Sequence, residues 1–335
     1  MHSTPLAYPM LKTPNLKRPE KLEDLLTPEL VARLGSLDVS SRKIMTGKLK
    51  GERRSKRRGE SVEFADHRPY VYGDDLRHID WNIFGRLDKM FLKLFLEEED
   101  LSLSIVIDCS ASSDTGDPNK FLFMQRLAAA LGYVGLVNLN RVVVSAIGDK
   151  GLREGEAPEL GPDGQPLPPQ GLVSAIRDLR GKRRLQDLVA YILSIQPSGQ
   201  TRFTDACKRI AITRRGGKGV MVVLSDFLIK EGYEPGLRLL KGQGFDVYAI
   251  QVLSPQEMEP TIGGDLRLKD LEDGDTAEVT ITAPLLKKYK QLMNAYCNKL
   301  HAFCTQRDII HMTVKSDMPV DQLVLDYLRR RGLLR

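Results

Sequence analysis

The chain has 335 residues, is 41% hydrophobic and 28% charged, and carries a net charge of +6. That is ordinary globular composition, enough for one large α/β domain with additions or for two smaller domains. No stretch approaches the ~20 apolar residues of a membrane span, no signal peptide is visible, and Cys109, Cys207, Cys297 and Cys304 include no CxxC pair, so a reducing cytoplasm is the expected compartment.

Residues 1–20 are proline-rich without a clear period and read as a flexible tail. Leu22, Leu25, Leu26, Leu30, Leu34 and Leu37 follow at helical spacing, with Pro28 suited to open a second helix capped by Thr27. The basic run "KLKGERRSKRRGESVEF" comes next. A solvated loop is the simpler reading. The other is a phosphate-binding patch at Arg53–Arg58, but no aromatic residues interleave for base stacking, so nucleic acid is not the expected partner.

From residue 101 short apolar runs alternate with helical ones. The strands are expected at Leu101–Asp108, Arg141–Ile147, Gly219–Asp226, Asp246–Leu253 and Ile309–Val314. Their Val/Ile-rich, mostly non-alternating character suits parallel strands buried on both faces. Helices are expected at Asn119–Leu139, Phe203–Arg215, Pro235–Lys241, Pro284–Gln306 and Met318–Arg331. The alternation predicts an α/β fold with a doubly wound, mainly parallel sheet. "LREGEAPELGPDGQPLPPQG" reads as a surface excursion. Asp273-Gly274 between alternating runs predicts a small β-hairpin insertion near 259–283.

Ligand sites of such sheets form outside the carboxyl ends of the strands. Three polar clusters belong there: Asp108, Ser110 and Ser112; Thr201, Thr204 and Asp205; and Asp226. Any one of them alone reads as a helix cap. If the strands ending at Asp108 and Asp226 are neighbours, two carboxylates share one rim and call for a counter-charge. Hard oxygen donors favour Mg²⁺ or Mn²⁺ over Zn²⁺.

"DCSAS … GQT … SD" resembles the metal-ion-dependent adhesion site of von Willebrand factor A domains. The resemblance implies Asp108, Ser110, Ser112, Thr201 (with Thr204 the weaker candidate) and Asp226 as the ligand set, completed by a partner's acidic residue. Many members have Gly after the second Asp, where this chain has Phe227. Upstream, Arg68, Tyr70, Gly73, Asp74, Asp75, Arg77, Ile79, Asp80 and Trp81 form an R-x-Y-x-x-G-D-D-x-R-x-I-D-W run. Together with the A-type region it closely resembles the bacterial family called domain of unknown function fifty-eight, over roughly residues 25–330. The expected division is a tail at 1–20, an N-terminal helix and clasp segment at 21–100, and an A-type domain at 101–335.

The clasp reading makes Arg68, Arg77 and Arg86 partners of the Asp residues, with Trp81 largely buried. A docking surface is the alternative. The resemblance further implies a non-enzymatic, Mg²⁺-dependent protein-interaction module that partners a MoxR-type AAA+ ATPase in maturing other complexes. A hydrolytic or phosphoryl-transfer enzyme at the same site would need a base or second metal, and the sequence shows no further carboxylate cluster near those strand ends. Cys297, His301 and Cys304 share a helix face but read as packing residues. No G-x-S-x-G, P-loop or strand-following G-x-G-x-x-G occurs.

Overall fold

The computed structural model describes residues 16–41, 63–96, 101–148, 172–200, 202–213, 219–272 and 275–335. The basic run at 53–58, most of the tail, the excursion at 152–171, Thr201 and the Asp273-Gly274 turn lie outside them. The chain divides into two compact units, one of residues 48–100 and one of the remainder.

The first elements are α1 (Leu22–Leu25) and α2 (Pro28–Leu34). Thr27 caps α2 as expected, accepting from the Leu30 amide at 3.3 Å, and Pro28 takes the first position. Leu25, Leu26, Leu30 and Leu34 are buried in the core of the larger unit. Burying each leucine is worth about 1.5–3 kcal/mol, which binds this stripe to the main sheet. The expected 21–100 segment is therefore split: α1 and α2 belong with 101–335. Asp38 also pairs with Arg335 at 2.9 Å, beside a Val39–Leu334 β-bridge.

The smaller unit holds β1 (Glu63–Pro69), α3 (Trp81–Leu87) and β2 (Phe91–Leu96), the two strands antiparallel. The signature run forms the connection between them. Arg68 bonds Asp74 at 2.6 Å, Asp74 accepts from the Val71 amide, and Arg77 pairs with Asp75 at 2.7 Å. Asp80 caps α3 through the Asn82 and Ile83 amides. Its other oxygen lies 3.0 Å from His67 Nε2 and 3.5 Å from Lys93. The His67 hydrogen bond, with those amides and Lys93, holds the Asp80 carboxyl down at about 2. The Tyr70 amide donates to the Met90 carbonyl. The expected burial of Trp81 fails: it is 62% exposed, at the first position of a two-turn helix, with its ring edge-to-face against Phe84.

The larger unit continues with β3 (Ser102–Asp108), α4 (Lys120–Val137), β4 (Arg141–Ile147), β5 (Leu172–Leu179), α5 (Leu185–Ser194) and α6 (Phe203–Ile212). Then come β6 (Gly219–Ser225), α7 (Glu234–Gly242), β7 (Asp246–Leu253), α8 (Pro255–Met258), β8 (Gly264–Lys269) and β9 (Thr276–Ile281). The unit closes with α9 (Ala283–Thr305), β10 (Ile310–Lys315) and α10 (Val320–Gln322). The expected helix at Met318–Arg331 is present as a continuous helical run over 320–330, α-helical at both ends with a π-helical middle at Leu323–Leu328 that buries Leu323, Val324 and Leu328.

Six strands form the main sheet in the order β10-β7-β6-β3-β4-β5, parallel except for β5. Strand alternation sends Leu103, Ile105 and Ile107 to one face and Val106 to the other. Val220, Val222 and Leu224 likewise oppose Met221 and Val223. The first face shares its core with α4 and α5, with α1 and α2 packed on α4; the second shares its core with α6, α7 and α9. This is the doubly wound, mainly parallel α/β arrangement the sequence predicts. β5 and α5 were not anticipated. The hairpin was: β8 and β9 pair antiparallel from Gly264–Ile281 to Lys269–Thr276. Among the described residues α4 is the one helix long and apolar enough to cross a membrane, and its Phe121, Met124, Leu127, Leu131 and Val134 are buried in this core.

Candidate functional site

β3 and β6 are direct neighbours, paired from Ser102–Gly219 to Ile107–Leu224. Their carboxyl ends therefore deliver Asp108 and Asp226 to one rim. Asp108 is 1% exposed. One of its oxygens accepts from the Ser110 amide at 3.1 Å, the other from the Ser225 hydroxyl at 2.6 Å. The Ser110 and Ser112 hydroxyls lie 3.1 Å apart. The loop that carries them is stitched to the 198–200 segment by Ala111 N to Gly199 O and Ser198 N to Cys109 O. Cys109 turns away as alternation requires. Its thiol donates to the Ile147 carbonyl, and burial, aided by the Asp108 charge, pushes its pKa up to about 12.

Asp226 is also buried. Its Oδ1 accepts from the Leu228 amide at 3.0 Å, and its Oδ2 accepts from Lys120 Nζ at 2.8 Å. Lys120 opens α4 with its side chain only 1% exposed, and also donates to Glu257 at 2.5 Å. Burial pulls its pKa down, but attraction to Asp226 and Glu257 outweighs this and raises it. An ammonium at a helix N-terminus opposes the helix dipole, so these carboxylates are what keep it there.

Phe227 occupies the position where the adhesion pattern has Gly, and it adopts the left-handed φ of 56° that Gly would take freely. Edge-to-face packing on Phe203 and Tyr233, and a hydrogen bond from Tyr296 to its carbonyl, hold that conformation.

A small cavity opens at this rim, lined by Asp108, Ser110, Ser112, Gln200, Asp226, Glu272 and the 228–231 loop. Glu272 was not anticipated. It follows β8, and Ser112 Oγ donates to its Oε1 at 2.8 Å. Burial raises its pKa, and the charges of Asp108, Asp226 and Asp270 add to the rise against the Ser112 hydrogen bond. The rim is thus a site of negative potential. Its donors are hard oxygens, carboxylates plus hydroxyls, the chemistry that suits Mg²⁺ or Mn²⁺. The residues present fit such an ion, although among the described residues no three His, Cys, Asp or Glu side chains form a ready-made cage.

Thr204 lies half-buried within α6, and Asp205 pairs with Lys208 at 3.0 Å. Thr201 is outside the described residues. The signature residues Arg68, Tyr70, Asp74, Asp75, Arg77, Asp80 and Trp81 sit in the smaller unit. Cys304 is buried in the α9 face, and His301 stacks near His311.

The family model described as "Protein of unknown function DUF58" matches residues 66–156 and 173–298. The chain belongs to the DUF58 family. Uncharacterized protein Rv1480 of Mycobacterium tuberculosis is 25% identical over 277 residues, 82% of this chain and 80% of that protein. Among solved structures, the conserved hypothetical protein BatB of Bacteroides thetaiotaomicron is similar at 13% identity and a TM-score of 0.38, over 69% of this chain and 98% of that one. An aerotolerance-related membrane protein of Bacteroides fragilis gives 15% and 0.40, over 69% and 97%.

Two site residues of this DUF58 protein had no signature in the sequence. Glu272 comes from a hairpin loop 160 positions from Ser112. Glu257 lies 137 positions from Lys120. The sequence reading, which found no further carboxylate cluster near the strand ends, did not single out either glutamate. Lys120 did leave a signal: a cation at the head of a mainly apolar helix is costly to bury without anions beside it.

Proposed function

We propose that this DUF58 protein is a Mg²⁺- or Mn²⁺-dependent protein-interaction module, not an enzyme. It works as the adaptor of a MoxR-type AAA+ ATPase that matures or assembles other protein complexes. Asp108, Ser110, Ser112 and Asp226 are the residues that would hold the ion, with Thr201 as the further candidate. The observation that carries the reading is the convergence of the first four on one cavity, from strands paired side by side. When bound, the ion supplies a positive centre able to take a carboxylate oxygen from a partner. The protein's part is to orient hydroxyls and carboxylates toward that centre. Lys120, behind Asp226, keeps the second carboxylate in place.

The test is thermal unfolding with Mg²⁺ or Mn²⁺. At about 100 times the dissociation constant the ion stabilises by ~2.7 kcal/mol, a rise of about 5 °C. The wild type is expected to show it, and Asp108→Asn and Asp108→Ala to lose it. Equal responses would refute the metal site. Recovery of a MoxR-type ATPase from lysate by the wild type, and not by Ser110→Ala, tests the partner; equal recovery would separate partner binding from the metal.

A further inference from the structure

The loop between β8 and β9 comes to the rim by two tethers. Ser112 Oγ bonds Glu272 at 2.8 Å, on the side of β3. Asp270 pairs with Lys230 at 2.8 Å, on the loop that follows Asp226. Within the loop, the Glu272 amide donates to Asp270 Oδ1 at 2.8 Å and the Asp270 amide to the Asp275 carbonyl at 2.7 Å, which aims the glutamate inward. Its carboxylate lines the same cavity as Asp108, Ser110 and Asp226. An external acidic side chain entering that cavity would bring the same group to the same hydroxyl.

We propose that Glu272 is a built-in occupant of the site, standing where a partner's acidic side chain would bind, so that its carboxylate must withdraw before a partner enters. The inference rests on the metal-site reading above. The Lys230–Asp270 tether is partly exposed, at 57% and 34%, and such an ion pair is individually weak. Glu272 therefore lowers the partner's apparent affinity by the fraction of time it occupies the site, without locking it.

The experiment titrates Mn²⁺ alone into the full-length wild type, Glu272→Gln, Glu272→Ala and Asp108→Ala, and reads both affinity and the water proton relaxivity of the bound ion. Glu272 is half-buried in a loop, so its variants are expected to keep the native circular dichroism spectrum. Removing the carboxylate is expected to weaken Mn²⁺ binding about tenfold and to raise relaxivity as water replaces it. Added acetate is expected to reverse the relaxivity change in Glu272→Ala and to leave the wild type unaffected. Unchanged affinity and relaxivity in both Glu272 variants, with binding lost in Asp108→Ala, would overturn the occupant and leave the metal site standing. Weaker binding that acetate does not reverse would overturn Glu272 as a stand-in for an external carboxylate. No Mn²⁺ binding by the wild type would overturn both readings.

Discussion

Lys120→Met removes one ammonium and keeps most of the side-chain volume. In the wild type that ammonium is 1% exposed and touches Asp226 at 2.8 Å and Glu257 at 2.5 Å. At an effective dielectric of about 20, one such contact has a Coulomb energy near 6 kcal/mol. Most of that is offset by the several kcal/mol needed to dehydrate each ion. Taking away one partner leaves the dehydration of the others uncompensated, and breaking a buried pair costs about 3–5 kcal/mol. Asp226 is 4% exposed and Glu257 20%, so the loss falls chiefly on Asp226. The expected destabilisation is about 3–5 kcal/mol, a large share of a typical domain's 5–15. Urea unfolding at neutral pH measures it. The readout should be far-ultraviolet circular dichroism, because the single tryptophan, Trp81, lies in the smaller unit and reports on the wrong region. A loss below about 1 kcal/mol, the scale of an exposed pair, would refute the claim that Lys120 neutralises a buried carboxylate beside the site.

Burial, with a smaller push from His301, lowers the pKa of His311 from 6.5 to about 4, so the unfolded chain takes up a proton there before the folded one does. Stability is expected to fall by up to roughly 3 kcal/mol as pH drops from 6.5 to 4, and His311→Leu to flatten that part of a pH series of urea midpoints; parallel slopes would contradict it. A β-carbon at Gly236 would lie 2.6 Å from the Phe203 ring and 3.0 Å from Cys207 Sγ, both fully buried. Gly236→Ala is therefore expected to cost about 1–3 kcal/mol, read as a lower melting temperature, and an unchanged melt would show that α6 and α7 separate easily.

Much of this protein was legible from its residues taken in order. Strands β3, β6 and β7 are buried on both faces, so each appears as a mainly apolar, non-alternating run, and the ends of β3 and β6 mark the rim where Asp108 and Asp226 meet. Thr27-Pro28 announced a helix start because capping acts over three residues, and Asp273-Gly274 announced a hairpin because turn chemistry is equally local. β5 escaped notice because an antiparallel edge strand tolerates polar residues, and "LVSAIRDL" carries no run. The exposure of Trp81 and the membership of α1 and α2 in the larger unit depend on which surface each apolar group reaches, which composition does not encode. Phe227 in a glycine conformation follows from aromatic neighbours supplied by α6 and the start of α7. Above all, the anions around the site are paired by folding: Glu257 joins Lys120, and Glu272 joins Ser112, across more than 130 residues. Local sequence determined the strands and the D-x-S-x-S loop because their causes are local. Only the tertiary structure decided what faces that loop, because a carboxylate's field acts through space and is indifferent to distance along the chain.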